Sequence, residues 1–558
     1  MKLRHLITGM AVMVAAIAWP QLRINGKDVA HNDMGNTFLC SVPEAQFGQD
    51  FTAIISAGAE GLWTNLRIDG EPVEWGGAHT FSHLDGTTTH RLQAIVADST
   101  VTATLQFTFL PILEIHDEGI SATYSKARFA LSEPDSAQVQ LLQGRVKLRG
   151  HTTLMAGRHK RNYHIKLEDN DGNKLDRKLL GMRSDNSWML DGGQVDLSRI
   201  RNVTAHQLWL DMAAKPYYAD REPKARTAVR SQMIELFVNG EYLGIYALTE
   251  ALDRKQMKLK KYDEENGILH GQLWRSDEYT NTTTLNAVVP MDNISNSWGG
   301  FVTKYPDTDE VPPNYQRLYD AVYFISSCYD GVLRRQGHLW FDLPVVRDYQ
   351  IFVQVLLAID NTSKNMYWAC YDSQTEQMLT PAVWDLDCTV GQDWTNVPFR
   401  PEERVGPDRE YKIGNGLFFR LFLLVDDYHE SVIERYHELR GGILQQDSLI
   451  ARYTQAITRL QKAGAAARES QRWSGDSDLG GQELDFEKEK EYIKQWLTRR
   501  LYHLDNYTFA RSAVDDVKAD DLAAAESRIV YDLLGRPHST ENLAPGIYVR
   551  AGKKFIVK

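Results

Sequence analysis

Cysteine is scarce in this sequence: 558 residues carry four, at Cys40, Cys328, Cys370 and Cys388. None stands at the close spacing of a zinc site, so a cysteine-held metal and a small disulfide-stapled fold are both excluded. Pairing among them stays open beside the alternative of buried free thiols, which pack as small hydrophobes. Long basic blocks are also missing, and the net charge is -11, which argues against a nucleic-acid surface as the main partner. Any phosphate site must therefore be a local basic pocket. No apolar run is long enough to span a bilayer: the one at 6–18 is too short, and no later stretch does better.

What is present at the N-terminus is Met1-Lys-Leu-Arg-His5, that apolar run, and small residues before Trp19-Pro20. This reads as a signal peptide over 1–18 and predicts an exported chain that works in the periplasm, at the cell surface or secreted. No cysteine follows the run to carry a lipid. With 43% hydrophobic and 25% charged residues, the remainder is globular and too long for one core.

Four pieces follow. Residues 19–115 alternate short apolar runs with Asn25-Gly26 and Asp69-Gly70 turns, which predicts a small β-sandwich. Residues 116–510 begin with strands at 137–142, 145–148 and 162–167, a helix within 196–212, and a hairpin turning at Asn239-Gly240, so a sheet lobe carrying one helix is expected. The pattern then becomes mainly helical, with one hairpin (366–371 and 378–384), a long helical run over 427–462, a loop over 470–481 and a closing helix to 507. Acidic, alanine-rich 511–527 reads as a linker. The tail, 528–558, carries Tyr531-Asp532, Gly535-Arg536, Gly546-Ile-Tyr548 and Gly552-Lys-Lys554. It resembles the C-terminal sorting or surface-anchoring modules of exported Bacteroidetes proteins; the plain alternative is a small β-unit. The expected class is thus α+β.

The chemistry concentrates in Asp360-Asn-Thr-Ser-Lys-Asn365 and Trp384-Asp-Leu-Asp-Cys-Thr-Val-Gly391. Transfer of a γ-phosphoryl group needs a carboxylate near the acceptor hydroxyl, metal bridging the phosphate oxygens, and a cation on the other phosphates. Asp360, at the end of an apolar helix, suits the first role. Asn365 follows at the Asp-x-x-x-x-Asn spacing that places base and metal amide around one phosphate in kinase loops. The hairpin returns the chain so that Asp385 can take Mg²⁺, which prefers hard oxygen ligands. Asp387 is either a second ligand or a structural partner. Upstream, Gly150, Thr152 and Thr153 suit a turn near a polyanion, beside Arg149, and Lys166 lies on an alternating strand. Arg158 to Arg161 read as a solvated basic face.

These residues, in order, resemble the spore-coat protein H (CotH) kinase-like family. The resemblance covers roughly residues 140–400, with support to about 505. It is carried by Arg149-Gly-x-Thr-Thr153, Tyr163-x-Ile-Lys-Leu167, Ser198-x-Ile-Arg-Asn202, Val238-Asn-Gly-Glu-Tyr-Leu-Gly-Ile-Tyr246 with Glu250, and the two acid loops. It implies a two-lobed atypical protein-kinase fold between the β-sandwich and the β-rich tail. It further implies ATP with Mg²⁺ or Mn²⁺ and a protein substrate. By position, Lys166 becomes the phosphate-binding lysine, Asp360 the catalytic base, Asn365 and Asp385 metal ligands, and Glu250 a residue against the adenine, with a capping or surface acid as its alternative. Arg201 is expected to pair with an acid of the sheet lobe. The chain departs from ordinary protein kinases: it has no Gly-x-Gly-x-x-Gly loop, no His-Arg-Asp and no Asp-Phe-Gly, and Asp211 is the nearest candidate to pair with Lys166. Two alternatives stand beside the kinase: a surface adhesion protein built on the same scaffold, and AMP transfer by the same fold.

Overall fold

The computed structural model describes residues 21–558 apart from 59–62, 97, 310, 395–399, 403–414, 512–528, 533–536, 540–542, 551–552 and 558. The predicted signal peptide and nearly all of the predicted linker lie outside the described residues. The protein is α+β, with six sheets and ten α-helices among the described residues. It divides into two compact units, each made of three chain segments: Met1–Gly192, Gln232–Leu248 and Thr458–Asp476, then Gly193–Ser231, Thr249–Ile457 and Ser477–Lys558.

The first unit opens with a four-stranded and a six-stranded sheet around one core that includes Leu22, Ile55, Trp63, Phe81, Leu105 and Phe107. Strand Phe51–Ala57 buries alternate residues, as period-two patterning requires. Asn25-Gly26 and Asp69-Gly70 both take positive φ at their tight turns, the geometry a two-residue hairpin needs. A closed seven-stranded barrel follows, in the order Ile112–His116, Ser125–Ser132, Gln140–Arg149, Asn162–Leu167, Ser187–Asp191, Glu241–Glu250, Ser231–Val238. Val146, Ile165, Trp188 and Leu236 fill it. The two strands read over 137–148 are one continuous strand, because Gly144 packs without a side chain where a Cβ would sit 2.0 Å from the Lys166 carbonyl oxygen.

Helix Ala465–Trp473 belongs to this unit. Its Arg468 forks onto Glu235 at 2.7 and 2.8 Å and donates to the Gly86 carbonyl at 3.0 Å. Its Glu469 receives Lys160 at 2.6 Å and the Ile245 amide at 2.7 Å. The loop expected from 470 onward is therefore helical as far as Trp473, whose indole donates to the Leu243 carbonyl at 2.9 Å.

The second unit contains helix Arg201–Met212, which sequence order had suggested for the sheet lobe. In place of a lone hairpin it holds a five-stranded sheet, Ser297–Trp298, Phe301–Tyr305, Gln272–Ser276, Tyr367–Cys370, Thr380–Ala382. Helices of this unit include Gln316–Ser327, Leu343–Leu356 and Phe486–His503, and Leu343–Leu356 packs against strand Thr380–Ala382. The long helical run breaks into Asp426–Arg440 and Gln446–Lys462, at Gly441-Gly442, where propensity is weakest. Strands Ile529–Asp532, Pro537–Ser539, Gly546–Arg550 and Lys553–Val557 form a small four-stranded antiparallel sheet. All four cysteines are free thiols. Among the described residues no helix is long and apolar enough to cross a membrane.

Candidate active site

Helix Leu343–Leu356 buries nearly every residue after Pro344, so it forms a rigid post inside the second unit. Leu357, at φ 49°, ends it, and the single turn Ile359–Asn361 presents Asp360. Asp360 is buried and both its oxygens are engaged. Tyr279 donates its hydroxyl to Oδ1 at 2.5 Å, and Asn365 donates Nδ2 to Oδ2 at 2.7 Å. Burial raises the carboxyl above its ordinary range, and the hydrogen bonds from Tyr279 and Asn365 with the nearby Lys364 charge offset only part of this.

Asn365 and Asp385 both sit in the left-handed region, at φ 60° and 58°, where Asn and Asp are the best-tolerated residues after glycine. Asn365 is fixed by its amide, which donates to the Ser276 carbonyl at 2.9 Å. Asp385 is exposed, at the end of the strand pair. Asn361 ties the two loops by donating Nδ2 to the Trp384 carbonyl at 2.6 Å, while Tyr349 donates to the Asn361 carbonyl at 2.9 Å. Asn202 accepts the Leu386 amide at 3.0 Å. The turn closes at Gly391, at φ 79°, where an added Cβ would fall 2.2 Å from the Tyr492 hydroxyl and 2.6 Å from the Trp496 indole nitrogen. Cys388 is buried, and its thiol is pushed well up by that burial and then by the charges of Asp387, Asp360 and Asp385.

Arg201 pins this turn. Fully buried, it donates to Asp196 at 2.7 Å, to Glu489 at 2.5 Å, and to the carbonyls of Thr389 and Val390 at 2.9 and 3.3 Å. Asp196 lies in the segment read as the helix of the sheet lobe, where a partner was expected, while Glu489 comes from helix Phe486–His503; both belong to the second unit. Asp211 pairs with Arg452 at 2.7 Å. Glu250 is fully buried, which rules out a surface acid: Arg230 holds Oε1 at 2.7 Å, while Gln256 at 3.0 Å and the Arg230 amide at 3.1 Å hold Oε2.

The remaining predicted residues lie in the first unit. Gly150, at φ 108°, permits a tight turn in which Thr153 donates to the Arg149 carbonyl at 2.7 Å. Thr152 starts the short turn that follows. Outward-facing residues of strands Gln140–Arg149 and Asn162–Leu167 gather cations around Tyr124: Lys147, Lys166 and Arg145 stand 4.6, 5.0 and 5.4 Å from its ring centre. His164, hydrogen-bonded to Tyr124 at 2.9 Å and Ser187 at 2.8 Å, is pushed down to about 3 by burial and then by Arg149, Lys166 and Lys147. It stays neutral there, and the surrounding face favours an anion. The basic stretch at 158–161 is only partly solvated, since Lys160 is buried on Glu469.

The donor set for a hard divalent cation can be tested against these atoms. Asp360, Asn365, Asp385 and Asp387 offer oxygen only, and Asn361 adds a buried Oδ1 with no hydrogen-bond partner. That chemistry fits Mg²⁺ or Mn²⁺. Among the described residues no three His, Cys, Asp or Glu side chains gather closely enough to hold a metal by themselves.

Tyr279, Asn361 and Cys388 were not foreseen as members of this site. Asn361 is readable as the neighbour of Asp360; Tyr279, far off in sequence, carries no local signal. Fold and loops together define an α+β protein with a buried acid, an amide and a second acid loop in one unit. The family model described as CotH kinase protein matches residues 146–504, more than half of the chain, and the chain belongs to that family. No curated protein matches it.

Proposed function

We propose that this protein is an exported two-lobed atypical kinase that transfers the γ-phosphoryl group of ATP to hydroxyls of a protein substrate with Mg²⁺ or Mn²⁺. The observation that carries this reading is Asp360, buried with both oxygens oriented, joined through Asn361 to the Trp384-Asp385 turn. Asp360 takes the acceptor's proton. Asn365 and Asp385 would hold the metal, with Asp387 beside them, and the bound ion neutralises charge on the phosphate oxygens. Lys166 and Arg149, whose charges both bear on His164, are assigned to the nucleotide phosphates together with Gly150 and Thr152 of the turn after Arg149, supported by the cationic face around Tyr124. Glu250 serves to lock Arg230, and we assign it no contact with adenine. The tail sheet is proposed as the sorting module.

The test is incubation of the purified chain with γ-labelled ATP and Mg²⁺ or Mn²⁺, beside Asp360→Asn and Asp385→Ala. Metal-dependent label on protein, lost in both variants, is expected. No label and no metal-dependent nucleotide binding would overturn the reading, and label from the α-position alone would establish AMP transfer instead.

A further inference from the structure

Tyr279 stands in a telling place. An acceptor hydroxyl must reach the base and donate its proton to a carboxylate oxygen, and the Tyr279 hydroxyl already donates to Asp360 Oδ1 at 2.5 Å. Its placement is built. Strand Gln272–Ser276 pairs with Tyr367–Cys370, next to Asn365, so the segment after Ser276 passes over the Asp360 loop. That segment is braced by the Asp277 amide on the Gly300 carbonyl at 2.8 Å and by the Thr280 hydroxyl on the Gly299 carbonyl at 2.6 Å. Thr283 and Ser363 share a hydrogen bond at 2.8 Å, fastening it to the Asp360 loop itself. A Cβ on Gly299 would lie 2.6 Å from Thr282 Cγ2, so the approach is close throughout. Tyr279 as a residue is nonetheless 43% exposed although its hydroxyl end is turned inward to Asp360, which leaves the side chain a route outward.

We propose that Tyr279 occupies the acceptor position of this site, is the first hydroxyl phosphorylated, and by leaving it opens the site to external acceptors. The inference rests on the kinase reading above. In the step, the Tyr279 Oη–phosphorus bond forms and the bond from the γ-phosphorus to the β,γ-bridging oxygen breaks. The nucleoside diphosphate leaves, and the phenolic proton passes to Asp360 Oδ1. The product carries close to two negative charges. It can no longer donate to a carboxylate, and like-charge repulsion drives it from Asp360.

Two measurements test this. In the full chain without nucleotide or metal, nitration by tetranitromethane is mapped by mass spectrometry, with the exposed Tyr323 and Tyr502 as internal references. Tyr279 should react several-fold more slowly than in Asp360→Ala while the references are unchanged; equal rates at Tyr279 would overturn the contact. The second is a time course with γ-labelled ATP, Mg²⁺ and dephosphorylated casein. A phosphate mapped to Tyr279 before casein label rises, and a lag abolished by preincubation with ATP or by Tyr279→Phe, are expected. Casein labelled linearly from the start with Tyr279 unmodified would overturn the inference and leave the kinase reading standing, whereas no label on either would overturn both.

Discussion

Asp360 combines a buried carboxyl, a raised pKa and two directed hydrogen bonds, the environment in which a general base is held ready. Asp360→Asn keeps the shape and both neighbours while removing the proposed base. Transfer to protein should fall by about 100- to 10,000-fold, with the melting temperature nearly unchanged; a rate within a few-fold of the parent would show that Asp360 is not the base. A second residue makes a pH prediction. His206 is buried, its Nδ1 has no hydrogen-bond partner, and burial pushes it down to about 3. As the folded value lies below the unfolded one of about 6.5, the unfolded chain binds the proton first as pH falls. Stability is complete above about 6.5 and lost on the way down to about 3. By about pH 5 the loss is about 2 kcal/mol, so urea unfolding at pH 7 and pH 5 should differ by that amount more in the parent than in His206→Leu. At this scale, legibility follows sequence distance. The Asp360 and Asn365 pair lies within one loop and shows in its spacing, whereas Tyr279 meets Asp360 from 81 residues away through a strand register that no local pattern announces.

Elements were legible where one local rule dominates. Asn239-Gly240, at φ 50° and 76°, marks a hairpin by turn chemistry alone, and strand Asn162–Leu167 shows in its alternating burial. The strands Gln272–Ser276 and Phe301–Tyr305 did not show, being short and lacking clean alternation; pairing with Tyr367–Cys370 makes them strands. Helix Ala465–Trp473 starts on three alanines, which favour helix, and enters the stretch read as a loop only over Ser470-Gln-Arg-Trp473, where the Trp473 indole holds the Leu243 carbonyl. The clearest prediction for elements concerns Arg201, whose guanidinium joins helix Arg201–Met212, the Thr389-Val390 turn and helix Phe486–His503. Arg201→Met would leave Asp196 and Glu489 facing each other without their shared cation. A loss of about 3–5 kcal/mol is expected, seen as a lower urea midpoint; a shift below about 1 kcal/mol would mean that the turn is held by its backbone bonds alone.

For the whole molecule, the order of strands and then helices announced an α+β chain, but not that the first unit is completed by a segment arriving hundreds of residues later. Lys160 meets Glu469 across 309 positions and Arg468 meets Gly86 across 382. Pairings of that span add little local signal and are closed late in folding. Until Thr458–Asp476 arrives, Lys160 and Glu235 are buried charges without their partners, each costing about 3–5 kcal/mol against a typical domain stability of about 5–15 kcal/mol. Chains ending at 457 and at 476 both lack the closing helix Phe486–His503, so comparing them isolates the returning segment. Hydrogen exchange should find strands Asn162–Leu167 and Ser231–Val238 protected in the longer chain and open in the shorter. Equal protection in both would mean that the barrel closes on its own and that the two buried ion pairs are added to a finished fold.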